Sequence, residues 1–350
     1  YVLTLDTSST NGTINLDIYN GMGGHTWAGA SSVVANAGTG ALNIVGSQAG
    51  KGGAWDANLT GALNIASTYT AGTLTLNATA ASSVTGSVTL ATNSVNNWTV
   101  SPGVTMTASG ALAGSNSSIT KNGTGTLTLS GNNTYTGATT INLGTLSVTG
   151  NIATSATTVG SGATLTGTGT VGAVTLNSGG LLGAGTGSAT AGRLSGSTLT
   201  ISGSTGYVFT IANISGSGGT AGTDYDQIAL SGALTLNNTA TDKFTLSLYG
   251  TPTGWSGNSS YNWDFLTAAS QTGFSAGNFT TDFTNFGIAP ELRTGNWSIS
   301  NPSGGTLRLT YTAAPAITSS TSASATVGTA FSYQITASNN ATGYGATGLP

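Results

Sequence analysis

The chain has 350 residues, a formal net charge of -3 and no cysteine, and Asp, Glu, Lys and Arg together make up only 4% of it, against roughly 25% in an ordinary globular domain. The lack of cysteine removes disulfides, thiol catalysis and cysteine metal clusters, and the lack of any basic cluster removes attraction for a nucleic-acid backbone or an anionic membrane. Its 55 glycines follow no every-third-residue period, and apolar residues alternate with polar ones, which excludes collagen and a flexible linker and leaves an all-β protein with a long, narrow core.

The first residues, from Tyr1, carry neither a basic segment nor an apolar signal core, and no stretch approaches the length of a membrane-spanning helix. The expectation is a mature or internal piece of an exported protein. Further on, Thr39-Gly-Ala-Leu-Asn-Ile44 recurs as Thr60-Gly-Ala-Leu-Asn-Ile65, a shift of 21 residues. Short runs of the same character follow at Thr73–Leu76 and Ser87–Leu90, and then at Leu127, Leu146 and Leu165, each 19 residues after the last.

In these runs Leu, Ile or Val alternates with Thr, Ser or Asn, the period of a strand with one buried face. Each is only a few residues long and is bounded by Gly, Asn or Ser, so no ordinary helix can be placed. A repeat of about 20 residues suits one coil of a β-solenoid, whose rungs stack about 4.8 Å apart. Leu, Ile and Val then line the interior, Thr supplies a β-branched exterior, and Gly forms the corners. An array of β-sandwiches is the competing arrangement, since short strands can also pair across two sheets.

Composition changes near residue 205. The first phenylalanine is Phe209, and Phe244, Phe265, Phe274, Phe279, Phe283 and Phe286 follow together with Trp255, Trp263 and Trp297. Residues 1–204 are therefore expected to form the solenoid, and residues 205–312 an atypical, aromatic-rich β cap over its last rung. Ala313–Ala316 reads as a boundary, and 313–350 as a linker with the first strands of another β domain. The 35 residues from Ala316 to Pro350 are too few for a complete sandwich, so an unfinished edge is expected there, suited to β-augmentation by a second copy.

Chemistry-bearing residues are sparse. No Asp or Glu occurs between Ala57 and Thr223. His25 is the single histidine and has no partner specified by spacing, so it reads as a loop residue. Asp6, Asp17 and Asp56 are scattered. Asp224 and Asp226 sit two apart, which on an extended strand puts both carboxylates on one face, a pattern compatible with Ca²⁺ or with sugar hydrolysis, although a turn before the Gln227–Leu230 strand accounts for them as well. Trp27, Trp55 and Trp98 are candidate sugar-stacking platforms or covers over loop mouths. Asn58, Asn77, Asn97, Asn122 and Asn278 open Asn-x-Ser/Thr triplets, which arise by composition in such a chain. No catalytic, metal-binding or cofactor-binding residue is assigned.

Residues 119–150 closely resemble the autotransporter-associated β-strand repeat of bacterial surface and exported proteins, through Lys121, Gly123, Gly125, Leu127, Leu129, Gly131, Tyr135, Gly137, Thr140 and Gly144. Asp224–Ile228 followed by Ser231–Leu236 resembles what often succeeds the last such repeat. In the tail, Pro315–Ser319, Val327–Tyr333 and Ala346–Pro350 resemble the start of an Ig-like domain. The resemblance implies a β-helical passenger and brings no catalytic residues. Together these readings predict a secreted or cell-surface structural protein, an elongated solenoid forming a fibre or surface layer with copies of itself as partners, end to end or by β-augmentation. An adhesin for surface polysaccharide or host protein is the second reading, and a polysaccharide-degrading β-helix enzyme the third.

Overall fold

The computed structural model describes strand backbones at intervals between residues 2 and 78, the side chains of 76–78, and every residue of 81–343 except 91, 188, 189, 321 and 340. The described residues form a parallel β-solenoid. Two sheets of 12 strands each run its whole length, one from Val2–Asp6 to Ser270–Thr272 and the other from Ile14–Asp17 to Phe279–Phe286. A third, interrupted face carries a three-stranded sheet and then a seven-stranded one.

Strands alternate between the first and second faces along the chain, and each pairs in parallel with its counterpart in the coils before and after. This order rules out the sandwich array. The early repeat stacks on itself, Leu42, Asn43 and Ile44 lying beside Leu63, Asn64 and Ile65. Likewise Leu127 pairs with Leu146 and Leu146 with Leu165. A shift equal to the repeat length puts the same residue type on the same face of every coil. The apolar columns therefore close without a gap.

The second-face column reads Met106, Leu127, Leu146, Leu165, Leu182, Tyr207 and Leu246 in successive coils. All are buried, and burying such a side chain contributes about 1.5–3 kcal/mol. On the first face the column is Leu76, Trp98, Lys121, Ile141, Val159, Leu176, Ile201 and Leu236. It contains a tryptophan and a lysine where the apolar pattern alone calls for aliphatic residues.

Parallel stacking continues beyond residue 204. Thr205–Thr210, Phe244–Gly250 and Phe279–Phe286 extend the second face, and Gln227–Leu230 and Tyr261–Thr267 extend the third. What changes at 205 is coil size. Longer connections, such as 211–226, widen the coil, and rings fill the added width: Tyr207, Phe209 and Phe265 lie 5.8–6.1 Å apart by centroid.

The stack ends differently from how it is built. Thr306–Thr312 runs antiparallel to Tyr261–Thr267, and Asn296–Ser300 runs antiparallel to Thr306–Thr312. This hairpin lays Trp297 against Phe283 and Phe286, at 4.9 and 6.0 Å. Arg308 on Thr306–Thr312 forms a two-point ion pair with Asp264 on the neighbouring Tyr261–Thr267, Nε to Oδ1 2.6 Å and Nη2 to Oδ2 3.0 Å. Among the described residues of 313–343, the pairing is a single antiparallel bridge, Ile317 with Ala337. No helix of the described residues is long and apolar enough to cross a membrane.

Candidate functional site

The coil spanning residues 119–148 shows why its marked residues are needed. Lys121 lies fully buried in the first-face column, where its Nζ donates to the carbonyls of Asn122 at 2.9 Å, Gly123 at 2.7 Å and Leu143 at 3.1 Å. Burial pulls its pKa down to about 8, so it stays protonated at neutral pH, and its three hydrogens match three carbonyl acceptors. The charge thus staples the corner after Ser118–Asn122 to the corner of the next coil. Amides reinforce the same edge, Asn142 Nδ2 donating to Asn122 Oδ1 at 2.8 Å.

Gly123 and Gly144 hold φ of +73° and +69°, and a Cβ on Gly123 would sit 2.3 Å from the Val100 carbonyl oxygen. No other residue type fits that corner. On the third face, Tyr135 takes the interior place at a coil that has no third-face strand. Its hydroxyl lies 2.7 Å from Thr139 Oγ1, which lies 2.8 Å from Ser155 Oγ, and Ser155 donates to the Gly137 carbonyl at 2.8 Å. Burial pushes the Tyr135 phenol up to about 12. Asn133 completes the filling, accepting the Leu112 N–H and donating to the Gly131 and Asn151 carbonyls.

Asp224 and Asp226 lie close in sequence but do separate work. Asp224 accepts Asn213 Nδ2 at 2.9 Å, the Ser215 hydroxyl at 2.9 Å and the Thr220 N–H at 2.8 Å, and these bonds, Asn213 foremost, lower its pKa. Asp226 accepts the backbone N–H groups of Gly192 and Thr210, both at 2.8 Å. Burial nonetheless pushes it up to about 7. Both carboxylates are occupied by N–H and O–H donors, which fasten the 211–226 loop and hold Gly192. The two carboxylates accept from different groups and share no donor. Among the described residues no group of three or more His, Asp or Glu side chains converges.

Trp98 is wholly buried between Leu76 and Lys121. It is neither a sugar platform nor the cover of a loop mouth, because inward register outweighs the surface role read from its residue type. The side chains of Asp6, Asp17, Trp55, Asp56 and Asn58, and all of His25 and Trp27, lie outside the described residues. Asn278 exchanges amide-to-carbonyl bonds with Asn238, at 2.7 and 2.8 Å, so that triplet serves coil stacking. Trp255 joins the closing cluster, stacked on Trp297 at 5.8 Å, and its Nε1 donates to the Leu292 carbonyl at 2.9 Å. Sequence reasoning put Thr on the exterior but read only strand propensity into it, and missed the groove that the second-face hydroxyls line.

The family described as the passenger-associated-transport-repeat matches residues 119–148. A comparison with curated proteins finds no match.

Proposed function

We propose that this chain, carrying a passenger-associated transport repeat, is part of an exported bacterial surface protein and acts as an elongated structural rod. The observation that carries the reading is the continuous stacking of 12 strands on each of two faces, a geometry in which length grows by one rung per coil. Continuous backbone pairing leaves little locally unfolded chain for proteases, and a surface nearly free of charge suits close packing with neighbours.

Assembly into a fibre or surface layer is the finer part of this proposal. The last second-face strand, Phe279–Phe286, is a poor joint, because its register shifts at a bulge and Asp282 captures the Thr284 N–H at 3.0 Å. Such features blunt an edge against pairing. The tail offers a better joint, with Ile317, Val327, Phe331, Tyr333 and Ile335 all exposed, as expected of Ig-like strands that pair with further sequence or with another copy. Electron microscopy of untagged protein tests the proposal: filaments with a fixed subunit repeat support it, and isolated rods at high concentration reject the assembly.

A further inference from the structure

The outward side chains of the second face line a groove that neither the repeat nor the rod explains. Thr105, Thr126, Thr145 and Thr164 are successive register partners, and so are Thr107, Thr128, Ser147 and Thr166. Alternate residues of a strand point the same way, so two files of hydroxyls run along the solenoid axis in steps of about 4.8 Å. They bound a groove of about 570 Å³ that reaches from Thr105 to Val208 and is lined by no ionisable side chain. Thr186 and Gly187 also line it, and Thr166 donates to the neighbouring Gly185 carbonyl at 3.0 Å.

Ser147 sits on the groove floor. It is only 8% exposed, yet its hydroxyl makes no hydrogen bond among the described residues while it lines the groove. Its hydroxyl therefore faces the groove without a protein partner, able to donate to and accept from whatever occupies it.

We propose that this groove binds a linear neutral glycan lying along the solenoid axis, with Ser147, Thr126, Thr128, Thr145 and Thr164 hydrogen-bonding its hydroxyls. A hydroxyl both donates and accepts and can rotate to suit, which matches another polyol. With no ion facing it, the groove offers nothing to balance a charged ligand. The threonine methyls give sugar C–H groups an apolar contact. Six coils contribute to the lining, five steps or about 24 Å, so the shape fits a chain of several rings. Each further ring adds hydrogen bonds, so affinity accrues along the chain.

The test is binding of the full chain to an array of linear glucans, mannans and xylans beside acidic glycans, followed by calorimetric titration with soluble oligomers of the strongest-bound neutral polymer. The expected result is neutral selectivity, with affinity rising with oligomer length and levelling off once the groove is filled. The triple variant Thr126→Val, Thr145→Val and Thr164→Val keeps shape and β-branching while removing three hydroxyls, and it should bind about tenfold more weakly or worse. The pair Thr140→Val and Thr158→Val, on the outer side of the first face, should bind like the parent, and both variants should melt with it. No neutral glycan bound, acidic glycans bound equally well, or a triple variant that binds like the parent would each overturn the proposal.

Discussion

The Nζ of Lys121 donates to the carbonyl of Leu143 at 3.1 Å, so one buried cation ties the corner of its own coil to the corner of the next. Hydrogen bonds to a charged group contribute about 1.5–3 kcal/mol each before the desolvation of the cation is set against them. Lys121→Met, which keeps the length and removes the donors, should lower stability by about 2–4 kcal/mol in urea unfolding, most of it from the carbonyls left unpaired.

The same group gives a pH signature. Its pKa falls from 10.5 in the free chain to about 8 on folding, so between those values the unfolded chain holds a proton that the folded chain has released. Stability attributable to Lys121 therefore rises with pH across that window. Subtracting the Lys121→Met profile from the parent's should isolate the rise, and a flat difference would count against the buried position.

Asp226 has the opposite slope in a different window. Burial lifts its pKa from 3.8 to about 7, so the folded chain holds the extra proton between those values and stability falls as pH rises through them. The hydrogen bonds that depress Asp224 and Asp282 lose their contribution only on acidification below the ordinary carboxylate range. Asp226→Asn should flatten the fall between about pH 4 and 7, as read by melting temperature at closely spaced pH values.

Two glycines with the same backbone turn should respond differently to alanine. Gly103 and Gly123 have φ of +72° and +73°, but a Cβ on Gly103 meets nothing within 4 Å, whereas on Gly123 it meets the Val100 carbonyl oxygen at 2.3 Å. Gly103→Ala should cost only the left-handed penalty, about 1–2 kcal/mol. Gly123→Ala should cost clearly more, because backbone must move. Equal losses in chemical denaturation would contradict the corner packing.

The interior of the coils was largely legible. Leu127, Leu146 and Leu165 announced both the repeat and the register, because an aliphatic residue at a constant shift has one place to go in a stack. Trp98 and Lys121 were illegible for the same reason: each occupies an interior position that its residue type does not advertise, and only register with Leu76 and Ile141 places them inside. The aromatic run after residue 205 signalled a wider core and not a change of fold. The hydroxyl groove was hidden because threonine outside a strand looks the same whether or not neighbouring coils shape a trough. Asp224 and Asp226 shared a face by spacing, but separate donors claimed them, Asn213, Ser215 and Thr220 the first and Gly192 and Thr210 the second.

Tyr135→Phe removes one hydroxyl from the Tyr135, Thr139 and Ser155 chain and leaves Thr139 short of a partner in a dry interior. A loss of about 1–2 kcal/mol is expected, with the far-ultraviolet circular dichroism spectrum unchanged.

Because the chain has no cysteine, engineered pairs can read the coil stacking directly. Thr126, Thr145 and Thr164 are partners in consecutive coils, which places neighbouring Cα atoms about 4.8 Å apart, within disulfide reach, and Thr126 and Thr164 about twice that, beyond it. Under mild oxidation Thr126→Cys with Thr145→Cys, and Thr145→Cys with Thr164→Cys, should close within one chain, while Thr126→Cys with Thr164→Cys should stay reduced. Closure of the two-coil pair, or failure of both adjacent pairs, would contradict the solenoid.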